Sequence, residues 1–119
     1  MTIQEIAQRL VAHCEKENYE AAQKELYAED AISIEPEAMG GYEKETKGLQ
    51  NILRKGQQFT DSIEASYGTT ISAPLIAGNA IAFTLKMDAK FKGRDRSTFE
   101  EICVYVVKDG KIISEQFFA

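Results

Sequence analysis

The sequence predicts a single α+β domain in which helices come first and a mostly antiparallel sheet follows. Three observations carry that prediction. Apolar residues recur at helical spacing up to Phe59, they follow a period of two from Ile81 onward, and an Asp-Gly pair separates two β-rich runs near the C-terminus. With 119 residues the chain is long enough for one hydrophobic core and too short for two, so one domain spans residues 1–119.

Thr2 is placed to cap a first helix, along which Ile3, Ile6, Leu10 and Cys14 recur while Ala7 and Val11 widen the stripe. "EKEN" breaks that pattern. A second short helix carries Tyr19, Ala22, Leu26 and, at its end, Tyr27 on one side. A strand from Ala31 to Glu35 stops at Pro36, and "EPEAMGGYEKETKG", with Gly40 and Gly41, reads as a loop. A third helix runs from Lys47 to Phe59, with Leu49, Ile52, Leu53 and Phe59 as an apolar stripe on a polar surface. After Asp61 the period changes, and Pro74 and Gly78–Asn79 mark breaks. Ile81, Phe83, Leu85, Met87, Ala89 and Phe91 then alternate with Ala82, Thr84, Lys86, Asp88, Lys90 and Lys92, the pattern of a long antiparallel strand with one wet face. Strands from Ser97 to Lys108 and from Lys111 to Phe118 flank Asp109–Gly110, which favours a two-residue type I′ turn because both positions tolerate positive φ.

An unbroken ladder from that turn sets Lys108 opposite Lys111, Val106 opposite Ile113, Val104 opposite Glu115 and Ile102 opposite Phe117. The other face then carries Glu101, Cys103, Tyr105, Ser114, Gln116 and Phe118. Neither face is charged throughout, so both are expected to be covered, one by the helices and the other by a partner subunit.

Composition excludes several classes. The content is 44% hydrophobic and 28% charged with net charge −5, and no basic cluster interleaved with aromatics offers a nucleic-acid surface. No apolar run approaches membrane-spanning length and no basic leader precedes one, so a cytoplasmic location is expected. Cys14 and Cys103 show no metal-ligand spacing and read as reduced, buried thiols; a single histidine, His13, excludes paired-histidine metal sites. No GxSxG elbow, P-loop or GxGxxG turn is present, and no metal or cofactor is expected.

The order of elements, with "LYAEDAISIEP", "KGLQNILRKG" and "DGKIISEQFF", resembles the nuclear transport factor 2-like superfamily, and within it the SnoaL-like proteins. The resemblance covers essentially the whole chain. It implies helices packed in the concave face of a curved sheet, a cone-shaped α+β barrel of cystatin-like type. It also implies a pocket at the wide end and homodimers through the outer face of the sheet. Enzymes and non-catalytic binders share this fold, so activity has to be carried over residue by residue. Ketosteroid isomerases place a carboxylate before the proline of the equivalent strand, where Glu35 stands here. Their helix tyrosine corresponds to Leu10, and their second acid, on the penultimate strand, falls at about Ile102. The resemblance therefore implies no steroid isomerase activity.

The candidate residues follow. Alternation assigns Ile32 and Ile34 to the core, so Glu35 points to water on that ground and to the pocket on the resemblance; both placements stay open. Glu115, among Ile102, Val104, Ile113 and Phe117, would be desolvated with its pKa pushed upward, as a general acid or base requires. Pairing with Arg9 or Lys24 would instead make it structural. Leu10, Cys14, Phe59, Phe83, Met87, Ile102, Val104, Ile113 and Phe117 are the expected pocket lining; Tyr105, Gln116 and Phe118 are the expected dimer contacts. The expected ligand is a small apolar or amphipathic molecule. Two functions compete: metal-free acid/base chemistry of the isomerase, cyclase or hydratase type, and a non-catalytic binding or dimerisation module.

Overall fold

The computed structural model describes residues 1–36 and 43–119. Thr2 opens the first helix with a capping box: its hydroxyl accepts from the Glu5 amide at 3.2 Å, and the Glu5 carboxylate accepts from the Thr2 amide at 3.0 Å. Helix α1 (Ile3–Glu15) buries the expected stripe of Ile6, Ala7, Leu10 and Cys14. Helix α2 (Tyr19–Leu26) follows, and Tyr27, read at its end from the sequence, instead starts strand β1 (Tyr27–Ile34). A short β2 (Glu45–Lys47) lies in the stretch read as loop, whose Gly40–Gly41 lie outside the described residues. Helix α3 (Leu49–Ser62) is followed by β3 (Ile63–Ile71), β4 (Leu75–Ala77), β5 (Ala80–Phe91), β6 (Ser97–Lys108) and β7 (Lys111–Phe118). None of the described helices is long and apolar enough to cross a membrane.

Among the described residues three helices pack on one seven-stranded sheet of order β2-β1-β7-β6-β5-β3, with β4 pairing β5. All pairs are antiparallel except β1 with β7. The sheet is curved and open, and its curvature has a local cause. Register shifts interrupt β3 against β5 at two places and also β1 against β7 and β6 against β7, and each extra residue bends its strand. On β5 the period-two reading holds: Ile81, Phe83, Leu85, Met87 and Ala89 are buried against the helices. Cys14 and Cys103 are buried free thiols.

Two face assignments are reversed. Asp109 and Gly110 form the expected turn, with φ of 53° and 74°. A bulge then leaves Ile113 unpaired, so Ser114 opposes Val106, Glu115 opposes Tyr105 and Phe117 opposes Cys103. Glu115 keeps its inward direction, but its β6 neighbours are Cys103 and Tyr105; Ile102 and Val104 face outward. On β1, Ala31 and Ser33 are buried at 0% exposure, while Ile32 and Ile34 lie on the outer face. Alternation identified two faces on this strand and chose the wrong one as the core. Both faces of β1 contain residues able to pack, and the more apolar set is on the outside.

That outer face is ordered in cross-strand rows. Ile34, Gln116, Val104 and Ala82 form one row; Ile32, Ser114, Val106 and Ala80 form the next; Phe118, Ile102 and Thr84 form a third. None of these residues carries a charge. Ile102 and Phe118 are each 48% exposed, and the paired Lys86 and Glu100 border the third row.

Candidate functional site

Strand β7 holds Glu115 on the inner face between Ser33 of β1 and Tyr105 of β6, where it is 4% exposed. A carboxyl group removed from water at this depth needs internal hydrogen-bond partners. It has two: the Tyr27 hydroxyl donates to Oε1, and Ser33 Oγ donates to Oε2 at 2.6 Å. Ser33 Oγ in turn accepts from Lys55 Nζ of α3 at 2.6 Å, and Lys55 Nζ also donates to Glu35 Oε1 at 3.0 Å. Tyr27, Glu115, Ser33, Lys55 and Glu35 thus form one continuous hydrogen-bonded chain, leading from the core toward the surface.

Burial raises the pKa of Glu115, and the Glu35 charge adds to this; the hydrogen bonds from Ser33 and Tyr27 and the charge of Lys55 oppose it. The Tyr27 phenol is held well above its ordinary value by burial and then by Glu115, so Tyr27 acts as a donor. On β6, Glu101 is half-buried on the same inner face as Cys103, whose Sγ lies 3.8 Å from its Oε1. Burial first, and then the charges of Glu35 and Glu115, push Glu101 up to about 7 against the lowering effects of the Cys103 contact and Lys55. A carboxyl with that value can both give and take a proton near neutral pH. Among the described residues, no group of three or more His, Cys, Asp and Glu is arranged to hold a metal ion.

The expected site residues do not fall in one place. Glu35, left open between pocket and water, faces Lys55 with its side chain 25% exposed. Leu10, Cys14, Phe83 and Met87 are packed in the core, while Phe59 and Phe117 are half-buried at its margin and Ile113 sits at the bulge. Ile102 and Val104 are not lining residues, because the bulge turns them to the outer face; Gln116 and Phe118 share that face. Tyr105 is not a dimer contact: it is 3% exposed on the inner face, with its ring centroid 5.4 Å from that of Phe83. Neither suggested partner of Glu115 reaches it, since Arg9 pairs with Glu25 at 2.7 Å and Lys24 with Glu20 at 2.7 Å. His13 also contacts Glu25, at 3.1 Å, at the surface.

Two surface depressions lie elsewhere. One, of about 420 Å³, lies between α2 and α3 and is bordered by Tyr19, Gln23, Leu53 and Gly56. The other, of about 370 Å³, runs along α1 beside Pro74 and Ile76. Neither is lined by Glu115 or Glu101.

Four members of the site escaped the reading of the sequence: Tyr27, Ser33, Lys55 and Glu101. Two of them left a signal. Lys55 lies three residues after Ile52 and four before Phe59, so a charge interrupts the apolar stripe of α3. Glu101 interrupts the inward set Phe99, Cys103 and Tyr105 in the same way, and it is the neighbour of Ile102, where the resemblance placed a second acid.

A curved, mostly antiparallel sheet over helices is the ketosteroid isomerase-like and cystatin-like class of α+β fold. Within that class the SnoaL-like domain family matches residues 1–119, and the chain belongs to it. A candidate SnoaL-like polyketide cyclase from Mesorhizobium loti, also labelled a carbohydrate phosphatase, is 30% identical; the match covers 100% of each chain with a TM-score of 0.90. A ketosteroid isomerase-like protein from Catenulispora acidiphila, solved with trimethylamine, is 20% identical over 99% of this chain and 87% of its own, with a TM-score of 0.77. A cystatin-like protein from Xanthomonas campestris is 15% identical over 99% of this chain and 90% of its own, with a TM-score of 0.83. No curated protein matches the chain at a significant level.

Proposed function

We propose that this SnoaL-like domain binds a small, largely apolar or amphipathic molecule at the end of the sheet where Glu35, Lys55 and Glu101 are half-buried. There it carries out acid/base proton transfer of the isomerase, cyclase or hydratase type. The observation that carries this reading is the pairing of two inward carboxyls at different depths. Glu101 is near the rim with a pKa of about 7, and Glu115 is deeper with its pKa also raised. Groups with those properties can exchange a proton with a carbon or oxygen acid at neutral pH. Glu101 is the proton acceptor in contact with the bound molecule; Glu115 sets the charge behind it. Glu35 holds Lys55 in place.

A second reading, a binding or dimerisation module without turnover, is favoured by the saturation of Glu115: both of its oxygens already accept an internal hydrogen bond. The two readings diverge in deuterium wash-in at the α-carbon of small apolar ketones in D₂O, followed by NMR. The enzyme reading expects exchange above the buffer rate, lost in Glu101→Gln. Saturable ligand shifts without exchange support a binding module, and no saturable shift with any ketone removes the enzyme reading and leaves dimerisation.

In either reading the chain acts as a homodimer that buries the uncharged outer rows of Ile34, Val104, Ile102 and Phe118. Support comes from the exposure of Ile102 and Phe118 and from the Lys86 and Glu100 border, which offers both charge signs to a two-fold-related copy.

A further inference from the structure

We propose that Ser33 and Lys55 form a proton relay that couples buried Glu115 to the rim of the site. The proposal deepens the acid/base reading, because it rests on Glu115 gaining and losing a proton. At 4% exposure Glu115 has little access to water, so a change in its protonation needs either an opening of the core or a path of hydrogen bonds. One path is continuous. Exposure rises along it from Ser33 at 0% to the Lys55 side chain at 14% and that of Glu35 at 25%. Both links to Ser33 Oγ are 2.6 Å long, and the hydroxyl accepts from Lys55 while donating to Glu115, the polarity a relay requires.

The step balances. One proton leaves Lys55 Nζ for Ser33 Oγ while the Ser33 hydroxyl proton moves to Glu115 Oε2. In that transfer a buried carboxylate and an ammonium become a neutral pair, which leaves no lone charge in the core. The Lys55 amine then takes a proton from a hydronium ion at the rim, which becomes water, so the site gains one proton in all. The remaining ionisable groups acting on Glu115 are Tyr27 from β1, Cys14 from α1, and Tyr105, Cys103 and Glu101 from β6. Burial holds the phenols and thiols protonated, which leaves Glu101 as the competing route.

The test is pH-jump infrared spectroscopy of the protonated Glu115 carboxyl stretch, assigned by its loss in Glu115→Gln. Ser33→Ala and Lys55→Met break the path at different links, and Lys55→Met, which changes a partly exposed side chain, is expected to fold. Each is expected to slow the appearance of the protonated band at least tenfold relative to the wild type. Unchanged rates in the folded variants, or slowing only in Glu101→Gln, would overturn the relay. The measurement needs no substrate, so the relay can fail while the acid/base reading stands, and the reverse is equally visible.

Discussion

Replacing Glu101 with Gln should make the protein more stable at alkaline pH, although it removes a surface-connected charge. In the folded chain the Glu101 carboxyl is shifted from 4.5 to about 7, chiefly by burial and then by the charge of Glu35. Between those values the folded state keeps a proton that the unfolded state has released. Stability linked to Glu101 therefore falls as pH rises through the window and is lowest above about pH 7. At roughly 1.4 kcal/mol for each pH unit, that gap amounts to about 3 kcal/mol. This is an upper value, because the rim position leaves the group partly hydrated. The Gln variant has no such proton to lose. In urea unfolding at fixed protein concentration, the difference between variant and wild type should move by up to about 3 kcal/mol in the variant's favour from about pH 5 to about pH 8. Parallel stability profiles for the two proteins would show that Glu101 is an ordinary solvated acid, and the acid/base reading would lose its principal group.

Glu115→Ala should cost about 3–5 kcal/mol in the same assay, since it strands the buried Tyr27 and Ser33 hydroxyls; a loss under about 1 kcal/mol would mean that the network adds little. Gly56→Ala on α3 should stabilise the fold by about 0.5–1 kcal/mol. The new Cβ would meet Gln23 at ordinary contact distances of 3.5 and 3.7 Å, while the helix gains a better helix former; destabilisation would show that the α2–α3 approach needs glycine. Phe118→Glu should leave monomer stability within about 0.5 kcal/mol, because the side chain is 48% exposed, yet dissociate the proposed dimer in sedimentation experiments. A wild type that sediments as a monomer at high micromolar concentration would refute the dimer.

The fold was legible where burial is one-sided. Strand β5 has a wet face bearing Thr84 and Lys86 and a core face bearing Phe83, Leu85 and Met87, so its period gave both strand and orientation. Strand β6 carries apolar residues on both faces, Cys103 and Tyr105 inward and Val104 and Ile102 outward. There a period of two identifies a strand but cannot say which side is the core. Strand β1 misled for the same reason. Glu115 was recognisable as an acid among apolar neighbours, although the neighbours named for it on β6 were the wrong ones. Ser33 and Lys55 lie 22 residues apart and meet only because α3 packs on β1, a contact that no local pattern encodes.

The bulge at Ile113 shows that β7 answers to two different counts. One starts at Asp109–Gly110 and fixes Lys111 and Ile112; the other comes from the parallel partner β1, which fixes Ser114, Glu115 and Gln116 opposite Ile32, Ser33 and Ile34. The two counts disagree by one, and Ile113 is the spare place that reconciles them. A chain shortened by that one residue could run as an unbroken ladder from the turn and still set Glu115 between Ser33 and Tyr105. Residue number measured from the turn is therefore a poor guide to the acid in this chain. Relatives differing in length at this point can keep the same interior.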